Sequence, residues 1–468
     1  VAFDLINNVR NVFELTAKPM QEMRSQPSGY SHKAIWAIAL PMMLSAISTP
    51  LVGLVDTAVM GHLDSPVYLA AVAANATIFS FILMGLNFLR MGTTGVTAQA
   101  FGSENHARIT ESLAQPLLIA IVFALGLIAL QWPIRETALW LIAPAAETTE
   151  LARQYFDIRI WSAPAVLWNF VIIGWLLGMQ NARGPLAIML TINLTNAALD
   201  LWFVVGLGMT VDGVALATAI AEVAGLFTGA IFVSIELRRH IPVWQFAHYL
   251  DVRRYLPLFR INANLFLRSM ALMFTLAFIT AQGARLGDVI MASNALLMNF
   301  IYFMAYALDG IAHAAEALTG KAVGAHDRQG LEIAVARTLT WTGAFAVLFS
   351  LFYFLTGSQI IDRLSDLPQI RTTANTYLPW LIAAPLISAW CFLYDGVYVG
   401  ITRAREMRIV MTGATLFVFL PTWFLFRDWG NNALWFALLM FMAARGIGMH
   451  LWYRRLLVND SLLGVRID

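Results

Sequence analysis

Residues 155–183 read YFDIRIWSAPAVLWNFVIIGWLLGMQNAR, and residues 377–405 read YLPWLIAAPLISAWCFLYDGVYVGITRAR. Laid over each other without gaps, at a shift of 222 residues, they coincide at Tyr155/Tyr377, Ile160/Ile382, Trp168/Trp390, Phe170/Phe392, Gly174/Gly396, Gly178/Gly400, Ala182/Ala404 and Arg183/Arg405. Gly102 and Gly324 obey the same shift. Chance supplies one or two such matches. It does not supply tryptophan, two glycines and an arginine in one register across an apolar segment and its polar exit. The chain carries an internal duplication.

The duplicated segment sits in a chain of 468 residues that is 59% hydrophobic and 12% charged. A soluble domain carries about 25% charged and about 45–50% apolar residues, so the composition points to a membrane. Crossing the hydrocarbon core takes about 20 mostly apolar residues in a helix. Twelve such stretches are predicted, over 34–59, 67–92, 113–133, 154–179, 185–207, 213–235, 256–281, 288–317, 335–356, 376–401, 407–426 and 431–453. Turn signals such as HLDSP, GSENHAR, NARGP, GAHDRQG and RDWGNN separate them.

The longest internal polar link, 237–255, falls near the middle. The predicted organisation is a tail over 1–33, a first lobe over 34–236, the linker, a second lobe over 256–453 and a tail over 454–468. Six helices per half make the two halves enter from the same side. The fold class is therefore all-α integral membrane, with twelve spans in two six-helix lobes related by a pseudo-two-fold axis along the membrane normal. Secondary transporters use such parallel repeats. Arginine and lysine gather in the first tail (Arg10, Lys18, Arg24, Lys33), in the links on that side (Arg108, Arg183, Arg238, Arg239, Arg253, Arg254, Lys321, Arg403, Arg405) and after the last span (Arg454, Arg455, Arg466). The positive-inside rule then predicts a multi-pass protein with both termini cytoplasmic.

A formal net charge of +2 is too small to suggest nucleic acid. The single cysteine, Cys391, lies in an apolar run and reads as a small core residue. The first 29 residues lack the apolar centre of a signal peptide. No Gly-Lys-Ser phosphate loop, nucleophile–histidine pair or metal-ligand cluster appears, so neither ATP drive within this chain nor enzymatic chemistry is expected.

Ionisable residues inside spans are functional by default. The first half holds Asp56, Arg90, Asp200 and Glu222, and the second holds Arg268, Asp309, Glu316, Asp395 and Arg445, with His313 nearby. In TINLTNAALD, Asn193, Asn196 and Asp200 share one helix face. Topology puts Asp56 about one turn before the outer end of the first span. Thr218 falls about 8 Å from the outer start of the sixth. Asp56, Asn196, Asp200 and Thr218 thus share a level. Two carboxylates, an amide and a hydroxyl suit a proton or an alkali cation such as Na⁺. Shifted by 222, these four fall on Phe278, Val418, Thr422 and Met440, so the scaffold is duplicated but the polar set is not. Pro41, 15 residues before Asp56, permits a kink in the first helix. Asn193 and Glu222 read as extensions of this site. Asp309, Glu316 and Asp395 read either as a second functional group or as structural partners of Arg268, His313, Lys321 or Arg445. For Asp56 or Asp200 taken singly, the structural alternative is pairing with Arg90.

The stretches LPMMLSAISTPLVGLVDTAVMGHLDSPVYLAAVA, FLRMGTTGVTAQAFG, GWLLGMQNARGP and YALDGIAHAAEALTGKAVGA resemble multidrug and toxic compound extrusion (MATE) transporters, most of all the DinF-like branch. The resemblance runs over nearly the whole chain from about residue 30. It implies a V-shaped pair of lobes in the bacterial inner membrane and drug antiport driven by H⁺ or Na⁺. It matches the family's first-lobe cation site to Asp56, Asn196, Asp200 and Thr218, and its bending proline to Pro41. The NorM branch uses acids of the second lobe. Here the tenth span offers Asp395, but the seventh offers Arg268 in place of a glutamate.

The expected protein is a monomeric exporter of amphipathic, cationic compounds that needs no cofactor beyond its coupling ion. Its partners are drug-like small molecules and membrane lipid. The alternatives are a lipid-linked flippase of the same superfamily, a major-facilitator-type carrier, and a non-transporting membrane receptor or scaffold.

Overall fold

A computed structural model describes residues 29–61, 65–240 and 251–459. The side chains of residues 49–52, 54–58 and 252 fall outside the described set. Most of the first tail, residues 241–250 of the linker and the last nine residues therefore lie outside the description.

Among the described residues, twelve long helices form the two lobes. The first lobe contains α1 (His32–Gly61), α2 (Pro66–Gly102), α3 (His106–Ala129), α4 (Ala146–Gly178), α5 (Arg183–Gly206) and α6 (Val211–His240). The second contains α7 (Arg253–Arg285), α8 (Asp288–Gly324), α9 (Arg328–Leu364), α10 (Pro368–Gly400), α11 (Ala404–Trp429) and α12 (Asn431–Val458). Eleven are long and apolar enough to cross a membrane. The other, α1, has 30 residues, about 45 Å at 1.5 Å per residue. Several helices run past the predicted spans: α2 continues from 92 to Gly102, and α4 begins at Ala146 rather than 154. Their ends are polar, so hydropathy truncates them.

The duplication is visible in backbone detail. Asn105 caps α3 by accepting from the Arg108 N–H, and Asp327 caps α9 by accepting from the Gly330 N–H. The residue before each cap, Glu104 and His326, has φ near +54° (53° and 54°). Gln180 and Thr402, at the exits of α4 and α10, have φ 62° and 56°. Each pair obeys the 222-residue shift. Non-glycine residues rarely adopt this left-handed conformation, so its recurrence in register marks inherited turns.

Two glycine contacts follow the same rule. Inside the lobes, Gly174 of α4 lies on the Arg90 carbonyl of α2, and Gly396 of α10 lies on the Ala312 carbonyl of α8. Between the lobes, Gly102 lies on the Lys321 carbonyl and Gly324 on the Gln99 carbonyl. The second contact is reciprocal, since residues 99 and 321 are themselves one shift apart. The pseudo-two-fold axis therefore passes between the ends of α2 and α8. Gly324→Leu is expected to wedge these helix ends apart and to lower stability by about 2–3 kcal/mol, measured as thermal unfolding in detergent.

The face where α2 and α8 end also carries the start of α1 and the end of α12, and is thus the terminal face of the protein. Lobe-to-lobe bonds cluster towards it: Gln99 donates to the Gly400 carbonyl and to Thr402, and Arg337 donates to the Tyr30 carbonyl. On the opposite face a short helix, Gln131–Ile142, is pinned to the start of α4 by the Arg135–Asp157 and Glu136–Arg153 ion pairs. The hydrogen bond from Arg153, aided by Arg135, holds the Glu136 carboxyl below its usual range against some desolvation.

The helices are not uniform. α4 tightens to a 3₁₀ turn at Ile160–Ser162, just before Pro164. α5 ends in a π-helical turn over Leu201–Gly206, where the Leu207 N–H bonds the Trp202 carbonyl five residues back. α11 has a π-turn over Thr415–Phe419 ahead of Pro421, whose ring nitrogen has no N–H to give. Neither π-turn lies at the shifted position of the other.

Candidate functional site

The first-lobe cluster is built by α5 between α1 and α6. Asn193, Asn196 and Asp200 share one face of α5. Asn193 donates to Ser48 Oγ of α1 at 2.6 Å, and Ser48 donates to the Ser45 carbonyl. Asn196 donates to Thr218 Oγ1 of α6 at 3.2 Å, while Thr218 donates to the Val214 carbonyl. Asn196 is 2% exposed and Asp200 fully buried. The Asn196 side-chain oxygen has no hydrogen-bond donor among the described residues. A buried amide and a hydroxyl thus meet where α5 and α6 cross, with the buried carboxylate of Asp200 one turn further along the same face of α5. Buried polar atoms are costly unless bonded, so the Asn196 oxygen is suited to a proton-bearing group or a cation.

Asp56 lies on α1, eight residues past Ser48, or about 12 Å along the helix. Its side chain falls outside the described set. Pro41 lies on α1 one turn before Ser45 and is half-buried. Here α1 leans on the second lobe, with the Ala39 carbonyl and Met43 seated against Gly310 of α8. Lacking an N–H, Pro41 leaves the Ala37 carbonyl without its helical donor. Glu222, one turn along α6 from Thr218, is held by Asn169 of α4, which donates to its carbonyl at 2.9 Å and to its carboxylate at 3.0 Å.

The second lobe carries an aromatic ring at one of the four shifted positions. Phe278, one shift from Asp56, packs edge-on against Phe419 and Trp423, with centroids 5.5 and 6.2 Å away.

The other intramembrane charges sort into two groups. Asp395 of α10 accepts from Arg268 of α7 and from Arg445 of α12, the latter at 2.7 Å. Both arginines are buried. A guanidinium therefore stands beside Asp395 as a built-in cation. Arg445→Met is expected to destabilise the lobe by about 3 kcal/mol, since removing one partner strands a buried charge; thermal unfolding measures it. Glu316 of α8 meets His313 Nδ1 at 3.1 Å and Arg90 Nη1, from α2 of the other lobe, at 3.7 Å. Arg90 thus bridges the lobes; its side-chain contacts are with Asn87, His313 and Glu316. Asp309 is half-buried, and no hydrogen bond or ion pair reaches it from the described residues. Of the partners sequence reasoning missed, Ser48 and Asn169 left a signal: each is a polar residue in an apolar run.

The fold is that of a two-lobed, twelve-helix membrane transporter. The MatE family matches residues 41–202 and again 265–424, once per lobe, and the chain belongs to that family. It is 45% identical over 432 residues to DNA damage-inducible protein F of Escherichia coli (strain K12), covering 91% of this chain and 92% of that protein. It is 21% identical to the multidrug export protein MepA of Staphylococcus aureus (strain N315), covering 82% and 85%. A crystal structure described as MATE in the bent conformation superposes with a TM-score of 0.81 at 20% identity, over 92% of this chain and 96% of that one. The chain is a transporter and not an enzyme.

Proposed function

We propose that the protein is a secondary active multidrug exporter that exchanges amphipathic, cationic organic compounds for H⁺ or Na⁺. The observation carrying this reading is the buried Asn196–Thr218 bond with buried Asp200 one turn further along the same face of α5, a set whose shifted positions in the other lobe hold Val418, Thr422 and Met440. A set needed only for folding would recur with the duplicated scaffold. The export named for MepA supports the substrate class.

In the proposed cycle, Asp56 and Asp200 take up protons, or share Na⁺ with Asn196 and Thr218. Neutralisation changes the balance between straight and bent α1 at Pro41. Bending shrinks the first-lobe cavity and expels substrate. Because α1 also bears on α8 at Gly310, the bend reaches the second lobe. Lysine and arginine bias puts the terminal face in the cytoplasm of a bacterial inner membrane, so the form described is closed to the cytoplasm. The lobes correspond to residues 34–236 and 256–453.

The test is efflux from proteoliposomes with an imposed pH or Na⁺ gradient, wild type against Asp56→Asn. The variant is expected to express and fold but to lose gradient-driven efflux. Undiminished efflux would sink the reading, and the gradient that drives the wild type identifies the ion.

A further inference from the structure

One stripe of α8 is not used by the first-lobe site. Met298, Tyr302, Tyr306, Asp309, His313 and Glu316 recur at steps of three or four residues and so share a face. Its burial grades along the helix. Met291, a further two turns out, is 41% exposed and Tyr302 is 43% exposed. Tyr306, Asp309 and His313 are half-buried, and Glu316 is 2% exposed. The stripe ends where Glu316 meets Arg90 of the first lobe. It is therefore a wall that runs from open space down to the contact between the lobes.

At its open end, a cavity of about 310 Å³ lies between α7 and α8, lined by Met291, Met298 and Tyr302 on one side and Leu276, Ile279 and Thr280 on the other. Thioethers and a phenol ring make a soft wall that adapts to varied apolar shapes. At the deeper end stands Asp309. The other acids of the second-lobe spans, Glu316 and Asp395, each carry an arginine; Asp309 carries none. Tyr306, also half-buried, lies one turn from it on the same face, and an aromatic ring there could bear on a cation.

We infer that the α7–α8 cavity and the Tyr306–Asp309 step form the docking site for a lipophilic organic cation, its apolar body among the methionines and its charge on Asp309. The inference rests on the exporter reading above and deepens it by naming the site. Arg268 and Arg90 oppose a cation here, but each is already engaged by a carboxylate and neither is within ion-pair distance of Asp309. A cation in contact with Asp309 lies closer to that carboxylate than to either guanidinium, and Coulomb interaction falls with distance.

The site gives substrate recognition and ion coupling separate acids in separate lobes. Tetraphenylphosphonium, whose charge does not titrate, tests this by equilibrium binding in detergent, where no gradient is needed. Asp309→Asn keeps the shape and removes the charge; it is expected to weaken binding about tenfold or more. Asp309→Glu is expected to restore it to within about threefold of wild type. A monodisperse Asp309→Asn protein that binds like wild type overturns the inference, as does a wild type that binds no tetraphenylphosphonium. Binding that survives while gradient-driven efflux is absent from the wild type overturns the exporter reading and leaves this site standing.

Discussion

Asp200→Asn is expected to reduce gradient-driven export to the leak seen without a gradient, a loss of about a hundredfold or more if the acid is the coupling group. Asparagine is close to isosteric, and the site already holds one amide at Asn196, so the substitution adds no bulk. What it removes is the ability to gain and lose charge. A fixed neutral group at the α5–α6 junction mimics the protonated state permanently, and α1 then has no cycle of charge to follow. Asp200→Glu would keep titration but push an extra methylene into a fully buried site. It is expected to retain part of the transport at the expense of stability. Counterflow without a gradient separates the outcomes: exchange should persist in Asp200→Asn if only coupling is lost. Full gradient-driven transport in Asp200→Asn would remove Asp200 from the mechanism.

The second large effect is expected at the lobe contact. Glu316→Arg sets a second guanidinium against Arg90 in a mostly buried position, with His313 between them. Loss of a buried pair costs about 3–5 kcal/mol, and repulsion adds to that. The terminal face is expected to lose its closed form and transport to fall to background. Arg90→Glu should do the same alone. The double exchange, Arg90→Glu with Glu316→Arg, should recover closure, because opposite charges again face each other and only the direction of the pair changes. Distances between spin labels on the ends of α3 and α7, near the Glu111–Arg254 pair, would report closure. Rescue that fails in a well-folded double variant would mean that the pair is passive.

The two lobes, their parallel relation and the family were legible in the sequence, because a duplicated segment keeps its glycines and its turn residues in register. A shared level for Asn196 and Thr218 was readable from helical spacing and depth along opposed helices, but the hydrogen bond between them was not. Partner choice was not legible. Arg90 looked available to Asp56 or Asp200, its neighbours by lobe, yet it turns to Glu316 of the other lobe. Asp395 had four candidate partners and takes two of them. Such choices depend on the rotation of each helix about its own axis, which hydropathy does not encode. The helix extensions beyond the apolar spans were hidden for a related reason: their burial comes from neighbouring helices rather than from lipid.

The π-turn after Asp200 fixes one such rotation. A π-turn accommodates one residue more than the α-helix it interrupts, and each α-helical residue advances the chain by about 100°. Leu201–Gly206 therefore acts as a phase spacer between Asp200 and the link into α6. Straightening the segment to an α-helix of the same length would turn the link into α6 by about 100° relative to Asp200. A chain with every residue of the candidate site intact would then fail for reasons of angle alone, whereas deleting Val205 removes the extra residue and should leave the phase unchanged.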